Sequence, residues 1–275
     1  MPACWRPPGC APGSPTPPPP RNPHEHGSFP PGRARGAGDR GIGRAWRGIR
    51  ANAGRCGARV VLAARRVDAM QVLARQLTDV HVVALDVTDP DSVRRAVDAA
   101  EAWAGTPVDL LVNNSGIAIP GASLEQSDQD WARVMGVNLD GARRMSVAVA
   151  ARLVEAGGPG PSSMSPRSWG CGRGGVSAYA TSKAALIQLT KQHALEWARH
   201  GIRVNALAPG YVETDINRDF FATDHGQAQI RRIPQRRLGQ AGDLAGPLLL
   251  LASDAGAFAT GSVLVADGGH LLSPL

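Results

Sequence analysis

Short apolar runs alternate with helix-period segments over most of this 275-residue chain, from residue 58 onward. The runs are rich in β-branched residues and cover residues 58–64, 80–86, 108–114, 202–208 and 261–269. Continuous runs of this kind are typical of strands buried on both faces of a parallel sheet. The intervening segments predict helices over Val67–Thr78, Pro90–Ala104, Asp128–Glu155 and Ser182–His200. The pattern therefore predicts a doubly wound α/β domain, with ligands bound beyond the carboxyl ends of the strands.

The amino-terminal part has a different composition. Twelve of the 22 prolines lie in residues 1–31, and such a composition cannot bury a hydrophobic core. We therefore predict a disordered tail over residues 1–35 and one folded domain over residues 36–275. The formal net charge of +7 also comes from this part, because residues 1–57 hold nine arginines against Glu25 and Asp39. The remaining chain is close to neutral, which argues against nucleic acid as the partner.

The cysteines and the apolar segments predict a cytoplasmic protein. No apolar segment typical of a secretory signal follows the start. The apolar run at 244–266 is interrupted by Pro247 and Asp254, so it is too broken to span a membrane. The four cysteines have neither the spacing of a disulfide framework nor that of a metal site; they are Cys4, Cys10, Cys56 and Cys171.

The histidines give no reason to expect a metal site. His24 and His26 lie in the proline-rich segment, where we interpret them as incidental. His193 falls on the same helical stripe as Leu186 and Trp197, which predicts a packing role for its ring.

Polar and glycine residues cluster after two predicted strands, where ligands are expected. NNSG, residues 113–116, follows one strand, and ALAPGYVET, residues 206–214, closes another with a Pro-Gly turn. Tyr179 and Lys183 are four residues apart, so on a helix they lie on the same face. Each feature alone is ambiguous, because polar turns and Tyr-x-x-x-Lys are common by chance.

Taken together, the order and spacing of these motifs resemble the short-chain dehydrogenase/reductase family. The likeness runs from about residue 58 to 270 and rests on LDV at 85–87, NNSG at 113–116, VMGVNLDG at 134–141, SAYATSKAAL at 177–186, RVNALAPGYVET at 203–214 and GSVLVADGG at 261–269. The resemblance implies a single-domain Rossmann-type sheet and hydride transfer between a nicotinamide cofactor and a small carbonyl or alcohol substrate. It also implies a homo-oligomer, commonly a tetramer, assembled through the helices at 128–155 and 182–200.

The resemblance gives catalytic roles to Tyr179, Lys183 and Asn138. The family's tyrosine exchanges a proton with the substrate oxygen during hydride transfer. A free phenol has a pKa of about 10 and is a poor base at neutral pH, so a neighbouring cation is needed to favour the phenolate. Lys183 corresponds to that cation and to the residue that binds the nicotinamide ribose. Asn138 corresponds to the residue that holds a water in a proton relay; the alternative is a polar residue that bends a long helix.

Further residues are implied to bind the cofactor. By resemblance, Asp86 and Val87 contact the adenine. Asn113, Ser115 and Gly116 line the ribose side, and the nicotinamide end is held by Pro209, Gly210, Val212 and Thr214. Enzymes that prefer NAD bind the adenosine ribose through an acidic residue at the end of the second strand. Here that strand ends in Arg65 and Arg66, and a guanidinium suits a 2′-phosphate, so NADP(H) is favoured over NAD(H). For Arg66 the alternative is a solvated surface charge.

Two segments depart from the family pattern. The first strand with its Gly-rich phosphate loop is missing, and so is the fifth strand with its catalytic serine. PSSMSPRSWGCGR, residues 161–173, stands at the fifth strand, with Pro166 at the serine's position. Because proline and glycine disfavour central strands, we expect both strands to be disrupted.

Two interpretations of these segments stay open. Over residues 161–173, a reading frame displaced by two bases permits the family-like segment VVNVSSIVGLRAG. Over residues 36–56, a frame displaced by one base permits VLVTGASGGLG. In this interpretation the amino-terminal tail is out of frame as well. Alternatively, GAGDRGIG at 36–43 is a divergent phosphate loop at a helix N-terminus, in which Gly41 and Gly43 bind the cofactor.

The sequence therefore predicts an NADP(H)-dependent oxidoreductase that interconverts a secondary alcohol and a ketone, with a substrate loop at 217–239. Its carboxyl-terminal part resembles 3-oxoacyl carrier-protein reductases and gluconate or deoxygluconate dehydrogenases, which the residues do not separate. The missing serine leaves a second interpretation, a catalytically impaired remnant that binds nucleotide or oligomerises. A third and weaker one is nucleic-acid binding through the Arg-rich tail.

Overall fold

The computed structural model describes residues 58–75, 77, 79–157, 175–213 and 217–272, together with the backbone of residues 163–166. The strands in this part are β1 (Val60–Ala64), β2 (Val80–Ala84), β3 (Leu111–Val112), β4 (Ser163–Pro166), β5 (Val204–Pro209) and β6 (Val263–Ala266). The α-helices are α1 (Val67–Ala74), α2 (Pro90–Ala104), α3 (Asp128–Met135), α4 (Gly141–Glu155), α5 (Ser177–Trp197), α6 (Arg218–Ala222), α7 (Asp224–Arg232) and α8 (Ala245–Ala252).

Every paired strand is parallel to its neighbour. β1 pairs with β2, with Val60 opposite Val80 and Ala64 opposite Ala84. β3, β4, β5 and β6 pair in that order in a four-stranded sheet. Parallel strands need crossover connections, which here contain the helices. The Rossmann-type doubly wound fold is therefore confirmed, and in each sheet the carboxyl ends of the strands lie at one edge.

The apolar runs are continuous because the strands are buried on both faces. On one face, Val61 and Leu111 pack in a cluster with residues of α2 and α4. On the other face, Leu62 and Val112 pack with Met70 of α1. β1 and β3 contribute to both clusters, so successive residues of one strand enter different parts of the core. Burial on both faces explains the lack of polar alternation in these strands.

The long helices differ from the predicted segments at two points. The segment predicted as one helix at 128–155 contains a π-helical turn, Gly136–Asp140, between α3 and α4. Helix α5 begins at Ser177 rather than at the predicted Ser182, and a short 3₁₀ turn at 198–200 follows it. Tyr179 and Lys183 therefore lie on one helix, as their spacing requires.

The segment at 161–173 contains a strand where the sequence predicted disruption. β4 pairs with both neighbours, with Ser163 opposite Leu111 of β3 and Val204 of β5. Pro166 lies opposite Leu207 at the last position of β4, where its missing N–H falls at the margin of the ladder rather than inside it. The prediction of a disrupted fifth strand is thus wrong for Ser163–Pro166.

Residues 1–57 lie outside the described residues. The predicted tail at 1–35, the first strand and the phosphate loop with Gly41 and Gly43 fall in this part and stay predictions. Within the described part, no helix is both long enough and apolar enough to cross a membrane.

Candidate active site

The first turns of α5 bring the predicted tyrosine and lysine together. Lys183 is buried, with 5% of its surface exposed, whereas Tyr179 is half-buried. The Lys183 Nζ lies 5.6 Å from the centroid of the Tyr179 ring. The ammonium therefore lies over the face of the ring, within the range of a cation–π contact, and burial strengthens this contact because the surroundings are less polar than water.

Asn138 lies in the π-helical turn and is fully buried. Its Oδ1 accepts a hydrogen bond from the backbone N–H of Ile117 at 2.8 Å, and its Nδ2 donates to the Ile117 carbonyl at 2.9 Å. The Nδ2 also donates to the Ser182 hydroxyl at 3.0 Å, and that hydroxyl donates to the Tyr179 carbonyl at 2.7 Å. The Asn138 amide thus joins the loop after β3 to the turn of α5 that carries Tyr179 and Lys183. Single-turn π segments of this kind are frequent at functional sites.

Gly116 in the loop after β3 lies against the same groups. A Cβ at this residue would lie 3.4 Å from the Lys183 Nζ and 3.5 Å from the Asn138 Oδ1. The backbone of Gly116 therefore borders the lysine ammonium directly, and Ser115 lies half-buried beside it in the same loop. The predicted site residues Gly116, Asn138 and the Tyr179–Lys183 pair thus lie together, although they come from three distant parts of the sequence.

Asp86 and Arg65 follow the adjacent strands β2 and β1. The Arg65 Nη1 lies 3.9 Å from the Asp86 Oδ2, and both side chains are more than one-third exposed. The Asp86 Oδ1 accepts hydrogen bonds from the Thr88 N–H at 2.9 Å and from the Thr88 hydroxyl at 2.7 Å. Burial raises the pKa of the Asp86 carboxyl, but the Thr88 hydrogen bonds and Arg65 outweigh burial and leave the pKa lowered. Asp86 is therefore ionised at neutral pH.

Val87 is buried against the start of α4, where it contacts Gly141 and Arg144. The sequence did not identify these two residues. The Arg144 Nη1 donates to the Val87 carbonyl at 3.3 Å. A Cβ at Gly141 would lie 2.6 Å from the Val87 Cγ2, which is closer than real contacts allow. Gly141 stands inside the quoted VMGVNLDG motif, so its position was visible in the sequence, but its contact with Val87 was not.

The Asn113 side chain is directed into the protein interior. Its Nδ2 donates to the Ser146 hydroxyl of α4 at 2.9 Å, and Asn113 also lines a small cavity between the helices and the sheet. Asn113 was predicted to line the cofactor ribose. Its amide contact with Ser146 ties the start of the Asn113–Gly116 loop to α4, and the predicted role at the ribose stays a prediction.

Pro209, Gly210 and Val212 lie at the carboxyl end of β5. Gly210 is required by close packing, because a Cβ there would lie 2.7 Å from the Asp267 Cα. Val212 forms an isolated bridge with Gly239, which closes the base of the segment predicted as the substrate loop. Thr214 lies outside the described residues.

The chain matches the family model described as enoyl-(acyl carrier protein) reductase over residues 36–270. Among curated proteins it is 37% identical over 226 residues to galactitol 2-dehydrogenase (L-tagatose-forming) of Cereibacter sphaeroides, covering 78% of this chain and 85% of that protein. It is 34% identical over 231 residues to the 3-oxoacyl-[acyl-carrier-protein] reductase of Escherichia coli, covering 84% of this chain and 93% of that protein. The chain belongs to the short-chain dehydrogenase/reductase family.

Solved structures of this family have the same fold. One is a gluconate 5-dehydrogenase from Burkholderia cenocepacia in complex with NADP and tartrate, with a TM-score of 0.79 and 32% identity. The match covers 88% of this chain and 96% of that one. Members of the family are oxidoreductases that act on alcohols and ketones.

The described residues of this short-chain dehydrogenase/reductase fit a nicotinamide dinucleotide. The Arg65 guanidinium and the Asp86 carboxylate follow β1 and β2, and the Gly116 backbone follows β3 and borders the Lys183 ammonium. Cation, carboxylate and backbone groups are the donors and acceptors that phosphate, ribose and adenine require. The absence of a side chain at Gly116 keeps the approach to the lysine ammonium open.

Gly141→Ala is expected to displace Val87 and to lower the free energy of unfolding by about 1–3 kcal/mol, because the added methyl group overpacks the contact. Gly136→Ala is the matched control, since a Cβ there would meet nothing within 4 Å. The control is expected to be neutral or slightly stabilising. Chemical denaturation of the two variants measures the difference, and equal stabilities would contradict the assigned contact.

Proposed function

We propose that this protein is an NADP(H)-dependent oxidoreductase that interconverts a secondary alcohol and a ketone, with Tyr179 as the general acid and base. The observation that carries the proposal is the buried Lys183 ammonium beside the Tyr179 ring. A buried cation is costly unless neighbouring groups compensate for its lost hydration. The position of the buried Lys183 ammonium beside the only phenol on this helix therefore favours a chemical role for Lys183 over a packing role.

Each residue has a defined task in this proposal. A nicotinamide cofactor, when bound, supplies or accepts the hydride. During reduction the Tyr179 hydroxyl gives a proton to the substrate oxygen, and during oxidation the Tyr179 phenolate takes that proton back. Lys183 stabilises the resulting phenolate. Asn138 holds the loop after β3 against α5. In the same proposal, a water beside Asn138 relays protons.

The substrate in this proposal is a small secondary alcohol or its ketone, in the cytoplasm. Relatives named for galactitol and gluconate support a hydroxyl-rich substrate, and the 3-oxoacyl-[acyl-carrier-protein] reductase supports ketone reduction. The substrate loop, 217–239, is closed at its base by the Val212–Gly239 bridge. Inside it, Phe221 packs against the Tyr211 ring at a centroid distance of 5.5 Å, which places an aromatic wall beside the carboxyl end of β5.

Tyr179→Phe is expected to lower kcat by about 10²–10⁴-fold, the usual contribution of a positioned acid–base group. Tyr211→Phe is the matched control, because the chain has two tyrosines and this change removes the other hydroxyl. The assay follows NADPH oxidation with a panel of polyol-derived and 3-oxoacyl ketones, and circular dichroism checks the fold. Similar losses in the two variants would contradict the role of Tyr179.

The cofactor preference rests on Arg65. Its guanidinium is 38% exposed and contacts Asp86 only loosely, so it can turn toward a phosphate on the adenosine ribose. The gluconate 5-dehydrogenase structure that contains NADP supports this preference. Exposed ion pairs contribute little energy, so the Asp86 contact is a weak competitor for the guanidinium.

Arg65→Asp is expected to lower the NADPH/NADH ratio of kcat/KM by about tenfold or more, since hydrogen bonds to a charged phosphate are worth about 1.5–3 kcal/mol. Arg66→Asp is the control, because Arg66 is also exposed and precedes α1 directly. We expect its ratio to stay within about threefold of the unmodified protein, because surface substitutions have small effects. Equal ratios in both variants would remove Arg65 from cofactor selection.

One observation favours a second candidate, a catalytically impaired member that binds nucleotide without turnover. Pro166 ends β4 opposite Leu207, at the position where the family's serine is expected, and proline has no hydroxyl to hold a substrate oxygen. Poor positioning alone can cost about a hundredfold in rate. Calorimetry with NADPH decides between the candidates: binding without turnover on the whole ketone panel supports the impaired protein.

Homo-oligomerisation through α4 and α5, commonly as a tetramer, is part of the proposal. These helices expose large apolar side chains, including Val147, Val154 and, with 75% of its surface exposed, Leu195. Exposed apolar groups on adjacent long helices are typical of interfaces that are buried on assembly.

Leu195→Glu is expected to shift the protein toward smaller species, because a charge at a buried interface loses its hydration. Val72→Glu on α1 is the control, since Val72 is also exposed but lies outside α4 and α5. Light scattering coupled to size-exclusion chromatography gives the masses. A monomeric unmodified protein, or equal shifts in both variants, would contradict the proposed interface.

A further inference from the structure

A small cavity lies between helices α4 and α5 and strands β3 and β5, beneath the loop that begins at Asn113. The space open to the centre of a water molecule is about 10 Å³, which is the lower limit for holding one water. Polar side chains from the loop after β3, from the two helices and from β5 line it: Asn113, Ser146, Thr190, His193 and Asn205. A cavity of this size and polarity meets the usual conditions for a buried water, which needs two to four polar partners.

His193 contributes a ring with two nitrogen atoms to the lining of the cavity. Its side chain is more than nine-tenths buried, and its ring stacks on Trp197 with a centroid distance of 3.9 Å. Among the described residues, no hydrogen bond reaches either ring nitrogen of His193. Polar groups in a protein interior are nearly always hydrogen-bonded to protein or to water, so a water in the cavity is a suitable partner for this ring.

The charge state of His193 suits a water ligand. Burial lowers the pKa of His193; Glu196 on the same helix opposes this effect and Arg143 on α4 adds to it. A neutral imidazole has one N–H donor and one nitrogen acceptor, and a water molecule can satisfy either.

Thr190 stands one helical turn before His193 on the same face of α5. Its hydroxyl donates to the Leu186 carbonyl at 2.9 Å, which leaves the hydroxyl oxygen as an acceptor. On the opposite wall, the Asn113 amide donates to the Ser146 hydroxyl. Asn205 already bonds through both amide atoms, to the Ala259 carbonyl and from the Ser262 N–H.

We propose that the cavity binds one water, held by His193 and Thr190, and that this water ties α5 to the Asn113–Ser146 pair. Asn113 begins the loop that ends at Gly116, beside the Lys183 ammonium. His193 is then a positioning residue for the cofactor loop. The part of this inference that concerns the cofactor rests on the proposed function, whereas the water site does not.

A crystal structure of the full-length protein tests the water site. Electron density is expected about 3 Å from a His193 ring nitrogen and from the Thr190 hydroxyl oxygen, the normal distance for a hydrogen bond. The same density is expected to disappear in His193→Leu, whose apolar side chain offers water no partner. A cavity without such density in the unmodified protein would overturn the proposal.

Amide hydrogen exchange tests the positioning role without relying on activity. His193→Leu and Thr190→Val are each expected to speed exchange of the backbone amides of residues 113–117 by about fivefold, because the loop loses one bridging contact. His193→Gln, which keeps a polar group, is expected to restore part of the protection. His81→Leu is the matched control, since His81 also stacks on a tryptophan, Trp103, and does not line the cavity.

The kinetic readout then connects the site to the proposed function. His193→Leu is expected to raise KM for NADP(H) while kcat stays within about threefold, because the variant leaves Tyr179 and Lys183 in place. If the protein shows no turnover, the proposed function fails while density and exchange still decide the water site. Equal exchange of residues 113–117 in His193→Leu, Thr190→Val and His81→Leu would overturn the positioning role.

Discussion

The side-chain amide of Asn138 is the contact on which the site depends. It is fully buried, and its two polar atoms bond to Ile117 in the loop after β3 and to Ser182 on α5. Burying an amide without partners costs several kcal/mol, so the loop, the π turn and α5 must adopt one relative arrangement to satisfy it. The positions of Tyr179 and Lys183 relative to Gly116 follow from that arrangement.

Much of this architecture could be predicted because strong periodicity constrains it. The continuous apolar runs predicted the parallel strands, and the i, i+4 spacing placed Tyr179 and Lys183 on one face. The β4 strand was missed because the effect of a proline depends on its place in the ladder, and only the structure shows that Pro166 is the last residue. The contact between Asn113 and Ser146 could not be predicted, because spacing locates a residue along a strand but does not reveal which neighbour it contacts.

Arg65 and Asp86 show how neighbouring parallel strands bring charged side chains together. Each follows a different strand, yet parallel pairing of β1 with β2 brings the two side chains to within 3.9 Å. Asp86 is held by Thr88, which leaves Arg65 as the more adjustable partner. A fixed carboxylate beside an adjustable guanidinium permits contact with a ribose hydroxyl and with a phosphate at one strand end.

Helix α5 combines two demands that oppose each other energetically. It packs an apolar face against the sheet, yet the buried part of that face includes Ser182, Lys183, Thr190 and His193. Ser182 and Thr190 satisfy their hydroxyl protons within the helix, on carbonyls three and four residues earlier. Lys183 and His193 lie beside aromatic rings of the same helix, Tyr179 and Trp197 respectively. Helix α5 therefore buries polar groups at two places, with Lys183 beside Tyr179 and His193 beside Trp197.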